Sequence, residues 1–210
     1  LRIRSVNPKG WQFASKYALD RAVSALMLVP AAPILAAVAA AVKLSSPGPV
    51  FFRQRRVGRD GRSFDILKFR TMTAPVARWS GTPSLAESDT APGGVEGEDR
   101  RTWVGRFLRR TSLDELPQLL NVLKGDMSVV GPRPERPEFA ELFERQLHRY
   151  SDRHRVKAGI TGWAQVHGLR GKTSIADRIE WDNFYIENWS LRLDFKILLM
   201  TLAAVLHRTE

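Results

Sequence analysis

"KYALDRAVSALMLVPAAPILAAVAAAVKL", Lys16 to Leu44, is the stretch on which the reading of the fold turns. Ala22 to Val42 carries no charge. At 1.5 Å per residue that run makes roughly 30 Å of helix, about the thickness of a bilayer core. A buried core helix is the plain alternative, but so long an Ala/Val/Leu-rich run passes the threshold for membrane insertion. A cleavable signal peptide fits less well, because the segment is too long and no clear cleavage site follows it. Pro30 and Pro33 interrupt the middle, where each removes a ladder hydrogen bond and bends the helix. Basic residues flank both ends: Lys16 and Arg21 before, then Lys43, Arg53, Arg55 and Arg56 after. Positive residues mark the cytoplasmic side, so a spanning helix would put one group on the wrong face. A helix that enters, breaks at the prolines and returns satisfies both. The expectation is a re-entrant helix–break–helix over residues 16–44.

The rest of the chain sets bounds on what that segment anchors. Its 210 residues suffice for one full domain with an appendage. A net charge of +11, from 33 Lys and Arg against 22 Asp and Glu, points to a polyanionic partner: nucleic acid, an anionic membrane surface or phosphorylated substrates. There is no cysteine, which excludes disulfides and thiolate metal sites. Leu1 rather than Met opens the chain, so an upstream targeting or membrane region would be invisible here.

Downstream, "SSPGP" (Ser45 to Pro49) reads as a turn leaving the membrane. Two extended runs around Gly58-Arg59-Asp60-Gly61 read as a β-hairpin. Residues 74–98, rich in Ser, Thr, Pro, Gly and Ala, read as a mobile surface loop. Helices are expected over Asp114–Lys124 and Glu138–Tyr150. "WSLRLDFKILLMTLAAVLHR" suits either an interfacial membrane helix or an amphipathic core helix. The expected fold is a helix-dominated α+β arrangement. It has an N-terminal segment (1–15), the membrane hairpin (16–44) and a catalytic domain (45–210) with interfacial amphipathic helices.

"TSLDELPQLLNVLKGDMSVVGPRP", residues 111–134, sets Asp114 and Glu115 side by side. Ser112 with Glu115 fits a capping box, which would make the acids ordinary helix starters. Yet Pro117 would then fall too deep in the helix; a start at Asp114 places it in the first turn, where no amide is needed. The helix dipole then keeps both acids ionised. The stretch alone leaves capping and reactivity both open. Nearby lie Lys68 and Arg70 on the second hairpin strand, Arg109 and Arg110 just before the acids, and Arg133 in the rigid "GPRP". Together they suit a diphosphate substrate. No Walker loop, G-x-G-x-x-G or H-E-x-x-H is present, and the four histidines show no ligand spacing.

The motifs "SPGPVFFRQRRVGRDG", "KFRTM", "VGRFLRRTSLDELPQLLNVLKGDMSVVGPRP", "GITGWAQVHGLRG" and "YIENWSLRLDFKILLMT" resemble the bacterial sugar transferase family. These are the monotopic phosphoglycosyl transferases, and the resemblance covers about Lys16 to Leu206. It implies a two-step reaction in the bacterial inner membrane, with the site on the cytoplasmic face. An aspartate attacks a UDP-sugar, UMP leaves, and undecaprenyl phosphate takes the phosphosugar from the enzyme, initiating exopolysaccharide or other glycoconjugate assembly. By motif position Asp114 is the nucleophile, and Glu115 sits beside it in binding Mg²⁺. Lys68 and Arg109 contact phosphate; Asp182 supports the site or joins Asp114 and Glu115 on the metal. Arg70, Arg110, Arg133, Trp163 and Gln165 are implied substrate contacts. "GWAQVHGLRGKT" (Gly162 to Thr173) looks most like the branch that transfers glucose or galactose 1-phosphate, with UDP-N-acetylated sugars as the alternative donors. Two departures from the family pattern bear on the bend and on loop rigidity: Ala32-Pro33 stands where Ser-Pro is usual, and Ala158 where a Pro precedes "GITGW".

Membrane lipids are implied partners, a homodimer is an open option and nucleic acid is not expected. A nucleic-acid module would explain the charge but not the apolar run, and a basic stripe interleaved with aromatics is missing. An inactive scaffold would have no need of the intact acid pair with its basic set.

Overall fold

A computed structural model describes residues 10–73, 99–171 and 173–206. The expected loop over 74–98 lies outside them, as do residues 1–9. Helix α1 runs unbroken from Trp11 to Ser45. Strands β1 (Phe51–Val57) and β2 (Ser63–Phe69) form the expected antiparallel hairpin, with Phe51 opposite Phe69 and Val57 opposite Ser63. Asp60 and Gly61 both adopt positive φ at the tip. Helix α2 (Trp103–Thr111), a 3-10 turn (Leu113–Glu115) and helix α3 (Gln118–Lys124) follow. Then come β3 (Ser128–Val130), α4 (Pro137–Gln146), a 3-10 turn (Tyr150–Arg155) and β4 (Gly159–Thr161). Helices α5 (Trp163–Val166), α6 (Ile175–Glu187) and α7 (Leu191–Leu206) complete a helix-dominated α+β fold. Strands β3 and β4 pair in parallel.

The break expected at Pro30 and Pro33 is not there. One 35-residue helix passes through both prolines, and it starts at Trp11 rather than at residue 16. Buried and half-buried positions recur along it at 13, 16, 17, 20, 24, 28, 31, 35, 38 and 42, one stripe at helical spacing. Both prolines lie off this stripe, exposed on the outer surface. Their rings deprive the carbonyls of Leu26 and Val29 of amide partners. The docked stripe on either side keeps the helix continuous despite that loss. Phe13 and Tyr17 pack into a core with Ile66, Val122, Val130, Tyr185 and Ile197. Val38 and Val42 pack at the other end on Phe69, Val104 and Leu108. A third cluster joins Val57 to Phe139, Phe143, Tyr150, Ile175 and Ile179.

The outer face of α1 is apolar and open: Leu26 and Val29 are each 74% exposed. A core helix of a soluble domain would not leave such a surface bare, and α1 is long and apolar enough to cross a membrane. This surface is suited to membrane association.

Two further sequence expectations shift. The acids do not open a helix at Asp114. Ser112 takes a left-handed conformation (φ 58°) as the C-cap of α2 and makes no side-chain capping bond to the turn after it. The capping box is therefore unmade, and α3 proper begins only at Gln118, after Pro117. The expected Glu138–Tyr150 helix ends at Gln146. The C-terminal helix is amphipathic on the core: Ile197 and Asp194 are buried, while Leu191, Phe195, Leu199 and Leu202 are exposed on another side.

A buried polar lock holds α1 to the domain. Lys16 Nζ donates to Asp194 Oδ2 (2.8 Å) and to Asp20 Oδ2 (3.2 Å). Tyr185 Oη and Trp189 Nε1 donate to Asp194, and Ser128 Oγ donates to Asp20. Lys16→Met would leave two buried carboxylates without their cation, a loss of about 3–5 kcal/mol. Chemical denaturation of the detergent-solubilised protein should show that drop in stability; a change within about 0.5 kcal/mol, the range of ordinary surface substitutions, would mean that the lock is dispensable.

Candidate active site

The site forms where α2, the Leu113–Glu115 turn and β2 converge. Helix α3 is strapped to β2 by one side chain: Asn121 Oδ1 accepts from Leu67 N (2.9 Å) and its Nδ2 donates to the Asp65 carbonyl (2.8 Å). Asn121 thereby completes the hydrogen bonding of the strand edge and brings Lys68, the next residue on β2, to the turn that carries the acids. Gly105 does the same for α2. A Cβ there would lie 2.0 Å from the Thr71 carbonyl oxygen, so only glycine lets the helix approach. That contact sets Arg109, whose Nε donates to Thr71 Oγ1 (3.1 Å). Sequence reasoning did not single out Asn121, Gly105 or Thr71. Their work is to join segments far apart in the chain, and no local pattern reports it.

Glu115 is the electrostatic centre. Lys68 Nζ (2.7 Å) and Arg133 Nη2 (2.9 Å) both donate to its Oε1. Two cations outweigh its burial and hold its carboxyl well below the usual range. In turn Glu115 holds the Arg133 guanidinium above its ordinary value. Burial pushes Lys68 down despite Glu115 beside it, and pushes Arg109 down despite Asp114 nearby.

Asp114 is different. It is buried, yet the hydrogen bonds of Lys68 and Arg133 go to Glu115 and that of Arg109 Nε goes to Thr71. Burial, followed by the charge of Glu115, raises its carboxyl to about 6, with Lys68, Arg109 and Arg133 opposing the rise. The adjacent acids thus differ: one is neutralised by partners, and the other is confined among cations with no bond from any of them. Such a carboxylate is disposed to react.

The structure therefore brings together Asp114, Glu115, Lys68, Arg109 and Arg133. The remaining expected residues fall elsewhere. Arg70 is buried with its Nη2 on the Val42 and Ser46 carbonyls, capping the end of α1. Arg110 lies on the exposed face of α2. Trp163 stands in an aromatic group with His167, Trp181 and Phe184, and Lys196 lies over its ring. Gln165 is buried on α5 and bonds the Ile160 carbonyl. Asp182 is not with the acid pair: its Oδ2 accepts from Arg153 Nη2 at 2.6 Å in a buried ion cluster. An acid held that way is the counter-ion of an arginine, not a third ligand beside Asp114 and Glu115. Among the described residues no three acidic or imidazole side chains gather in a metal-binding group.

The family model for bacterial sugar transferases matches residues 11–208. A UDP-glucose:undecaprenyl-phosphate glucose-1-phosphate transferase of Xanthomonas campestris pv. campestris is 43% identical over 98% of this chain and 42% of its own length. A protein of the same name from Caulobacter vibrioides is 46% identical over 91% of this chain and 69% of its own. A UDP-N-acetylgalactosamine-undecaprenyl-phosphate N-acetylgalactosaminephosphotransferase of Aeromonas hydrophila is 42% identical over 88% of this chain and 42% of its own. The chain thus spans about two fifths of the Xanthomonas and Aeromonas relatives.

The raised carboxyl of Asp114 has a consequence for stability. The folded state binds this proton more tightly than the unfolded chain, whose ordinary value is 3.8. The contribution is therefore fully present below about pH 4 and lost as pH rises through about 6. With a chelator present, wild type should lose on the order of 2 kcal/mol over that interval relative to Asp114→Asn. The variant should be the more stable at pH 7. Equal pH profiles in calorimetry would show that Asp114 is not under electrostatic strain.

Proposed function

Because the chain belongs to the bacterial sugar transferase family, we propose that it transfers glucose 1-phosphate from UDP-glucose to undecaprenyl phosphate and releases UMP. The observation that carries this reading is Asp114, buried among Lys68, Arg109 and Arg133, whose hydrogen bonds go to Glu115 and Thr71 instead. The names of the Xanthomonas and Caulobacter relatives supply the donor and the acceptor.

In the first step an Asp114 carboxylate oxygen attacks the phosphorus next to the sugar. The bond from that phosphorus to the bridging oxygen breaks, and UMP departs with the electron pair. The glucose phosphate is left on Asp114 as an acyl phosphate. In the second step a phosphate oxygen of undecaprenyl phosphate attacks the same phosphorus and expels the carboxylate. A carboxyl at about 6 is mostly ionised at neutral pH, so it needs no general base. It is also more basic than an ordinary aspartate, which favours attack.

The obstacle is the approach of one anion to another. Lys68, Arg109 and Arg133 offset the charge of the diphosphate and of the departing UMP. The donor set also fits Mg²⁺. Both bonds to Glu115 fall on Oε1, so its Oε2 and the Asp114 carboxylate remain as oxygen donors. Mg²⁺ takes one or two carboxylates when substrate phosphates and water complete its shell. Bound there, it would act as a Lewis acid on the diphosphate.

The membrane placement follows the same reading. Both halves of α1 pack on the same domain, through Phe13 and Tyr17 at one end and Val38 and Val42 at the other. That supports a helix that lies along the membrane with both of its ends on the side of the domain. The cytoplasmic face of the inner membrane is the side where a UDP-sugar would be met.

The test uses the detergent-solubilised protein with UDP-glucose alone. One UMP per chain should appear, with a hexose-phosphate mass gain on Asp114, and Asp114→Asn should give neither. Undecaprenyl phosphate should then discharge the adduct and permit turnover. Glu115→Gln should raise the Mg²⁺ concentration needed for half-maximal rate. An adduct on another residue would overturn the assignment of the nucleophile. A clear preference for UDP-N-acetylgalactosamine would move the donor to that of the Aeromonas relative.

A further inference from the structure

Asp182 and Arg153 have a different use from metal binding. The Arg133 side chain is about a third exposed and long, so its own packing does not fix it on Glu115. What is fixed is its backbone. Arg153, whose side chain is 1% exposed, uses a single Nη2 both to donate to the Arg133 carbonyl (2.9 Å) and to pair with Asp182 Oδ2 (2.6 Å). The flanking residues are pinned in the same way. Arg56 Nη1 donates to the Pro134 carbonyl (3.2 Å), and Arg178 Nη1 donates to Glu135 Oε1 (2.8 Å). Arg178 Nη2 reaches on to the Gly171 carbonyl and Thr173 Oγ1, tying in the loop before α6. On the other side Gly131 abuts the Lys157 carbonyl so closely that a Cβ would come within 2.5 Å of it. Residues 131–135 are therefore held at the Gly131 backbone, at the Arg133 and Pro134 carbonyls and at the Glu135 side chain.

We propose that the Arg153–Asp182 pair, with Glu135 and Arg178 behind it, is a positioning device for Arg133. It fixes the carbonyl of that residue so that the guanidinium stays on Glu115, and Asp182 acts through it rather than through a metal. The four side chains are charge-balanced, two acids against two arginines, so the cluster can stay buried without an outside partner. Nothing in it touches Asp114. A displacement of about 1 Å at a positioning group can cost about a hundredfold in rate, so the effect of the device is read in kcat.

This inference rests on the proposed phosphosugar transfer, and a double-mutant cycle tests it separately. UMP release is measured for wild type, Asp182→Asn, Arg133→Gln and the double variant, across Mg²⁺ and UDP-glucose concentrations. Each single change should lower kcat about a hundredfold. If Asp182 acts only through Arg133, the double variant should be no slower than Arg133→Gln alone, because the two effects share one route. The Mg²⁺ half-saturation of Asp182→Asn should match that of wild type. A multiplied loss of about ten-thousandfold in the double variant, an unchanged kcat in Asp182→Asn, or recovery of Asp182→Asn by excess Mg²⁺ would each overturn the proposal. Should Asp182→Asn not fold, Arg153→Lys takes its place in the same cycle, since it keeps the positive charge while giving up the planar guanidinium whose Nη2 serves both acceptors. A wild type that releases no UMP would instead count against the proposed transfer itself.

Discussion

The contact on which the rest of the molecule depends is Lys16 between Asp194 and Asp20. It is the one cation on the inner face of a helix that is otherwise uncharged from Ala22 to Val42. A smooth Ala/Val/Leu surface packs almost as well one turn along as in place, so apolar contacts alone fix the register of α1 weakly. A buried ammonium cannot slide, because away from its carboxylates it would lose both partners in a low-dielectric setting. Such a pair adds little net stability over a well-packed apolar substitute. Its use here is specificity of position. Asp20 also accepts from Ser128, the first residue of β3, and Asp194 accepts from Tyr185 and Trp189. One lock thus sets α1, β3, α6 and α7 together, and β3 leads directly into residues 131–135 and so to Arg133.

At the site the same physics is used with opposite balance. In the lock, donors saturate both carboxylates. At the head of α3, Glu115 takes two of the available cations and Asp114 is left with their field but not their hydrogen bonds. The left-handed Ser112 makes this possible. By ending α2 and starting a new turn, it lets Arg109 from the tail of one helix and the acids from the head of the next share a space. A continuous helix through 111–124 would hold them at fixed 100° steps around one axis. The cost is one non-glycine residue at positive φ, a strain of the kind that gathers at functional sites.

Much of this was legible in the sequence, and the limits have a physical cause. The hairpin, the C-terminal helix, the apolar helix and the cluster of Lys68, Arg109, Asp114, Glu115 and Arg133 all follow from local pattern or from the motifs. The metal role expected of Asp182 and the substrate contact expected of Arg70 give way because the partners of both are fixed only by the fold. Asp182 meets an arginine 29 positions earlier, and Arg70 meets carbonyls 24 and 28 positions earlier. The prolines of α1 do not break it for a related reason. Their local effect is to break a helix, and the stripe that holds α1 together is made with α2, α3 and β3, which the stretch itself does not contain. The capping box at Ser112 fits on spacing, but Pro117 displaces the start of α3 to Gln118.

Helix α2 shows why the apolar exterior and the charged site belong to one design. Trp103 and Phe107, one turn apart, are 71% and 57% exposed, while Val104 and Leu108 are buried and Arg109 turns toward Thr71. The same nine residues therefore present an aromatic outer surface and a cation of the candidate site within one helix diameter, about 10–12 Å. Aromatic side chains of this kind settle at the level of lipid headgroups. With α1 and α7 also exposing apolar faces, the Asp114 carboxylate is carried by the turn that follows this helix. A phosphate carried on a long lipid tail would sit at that level too. On the proposed reaction, the surface suited to membrane association would then also set the depth at which acceptor and carboxylate meet.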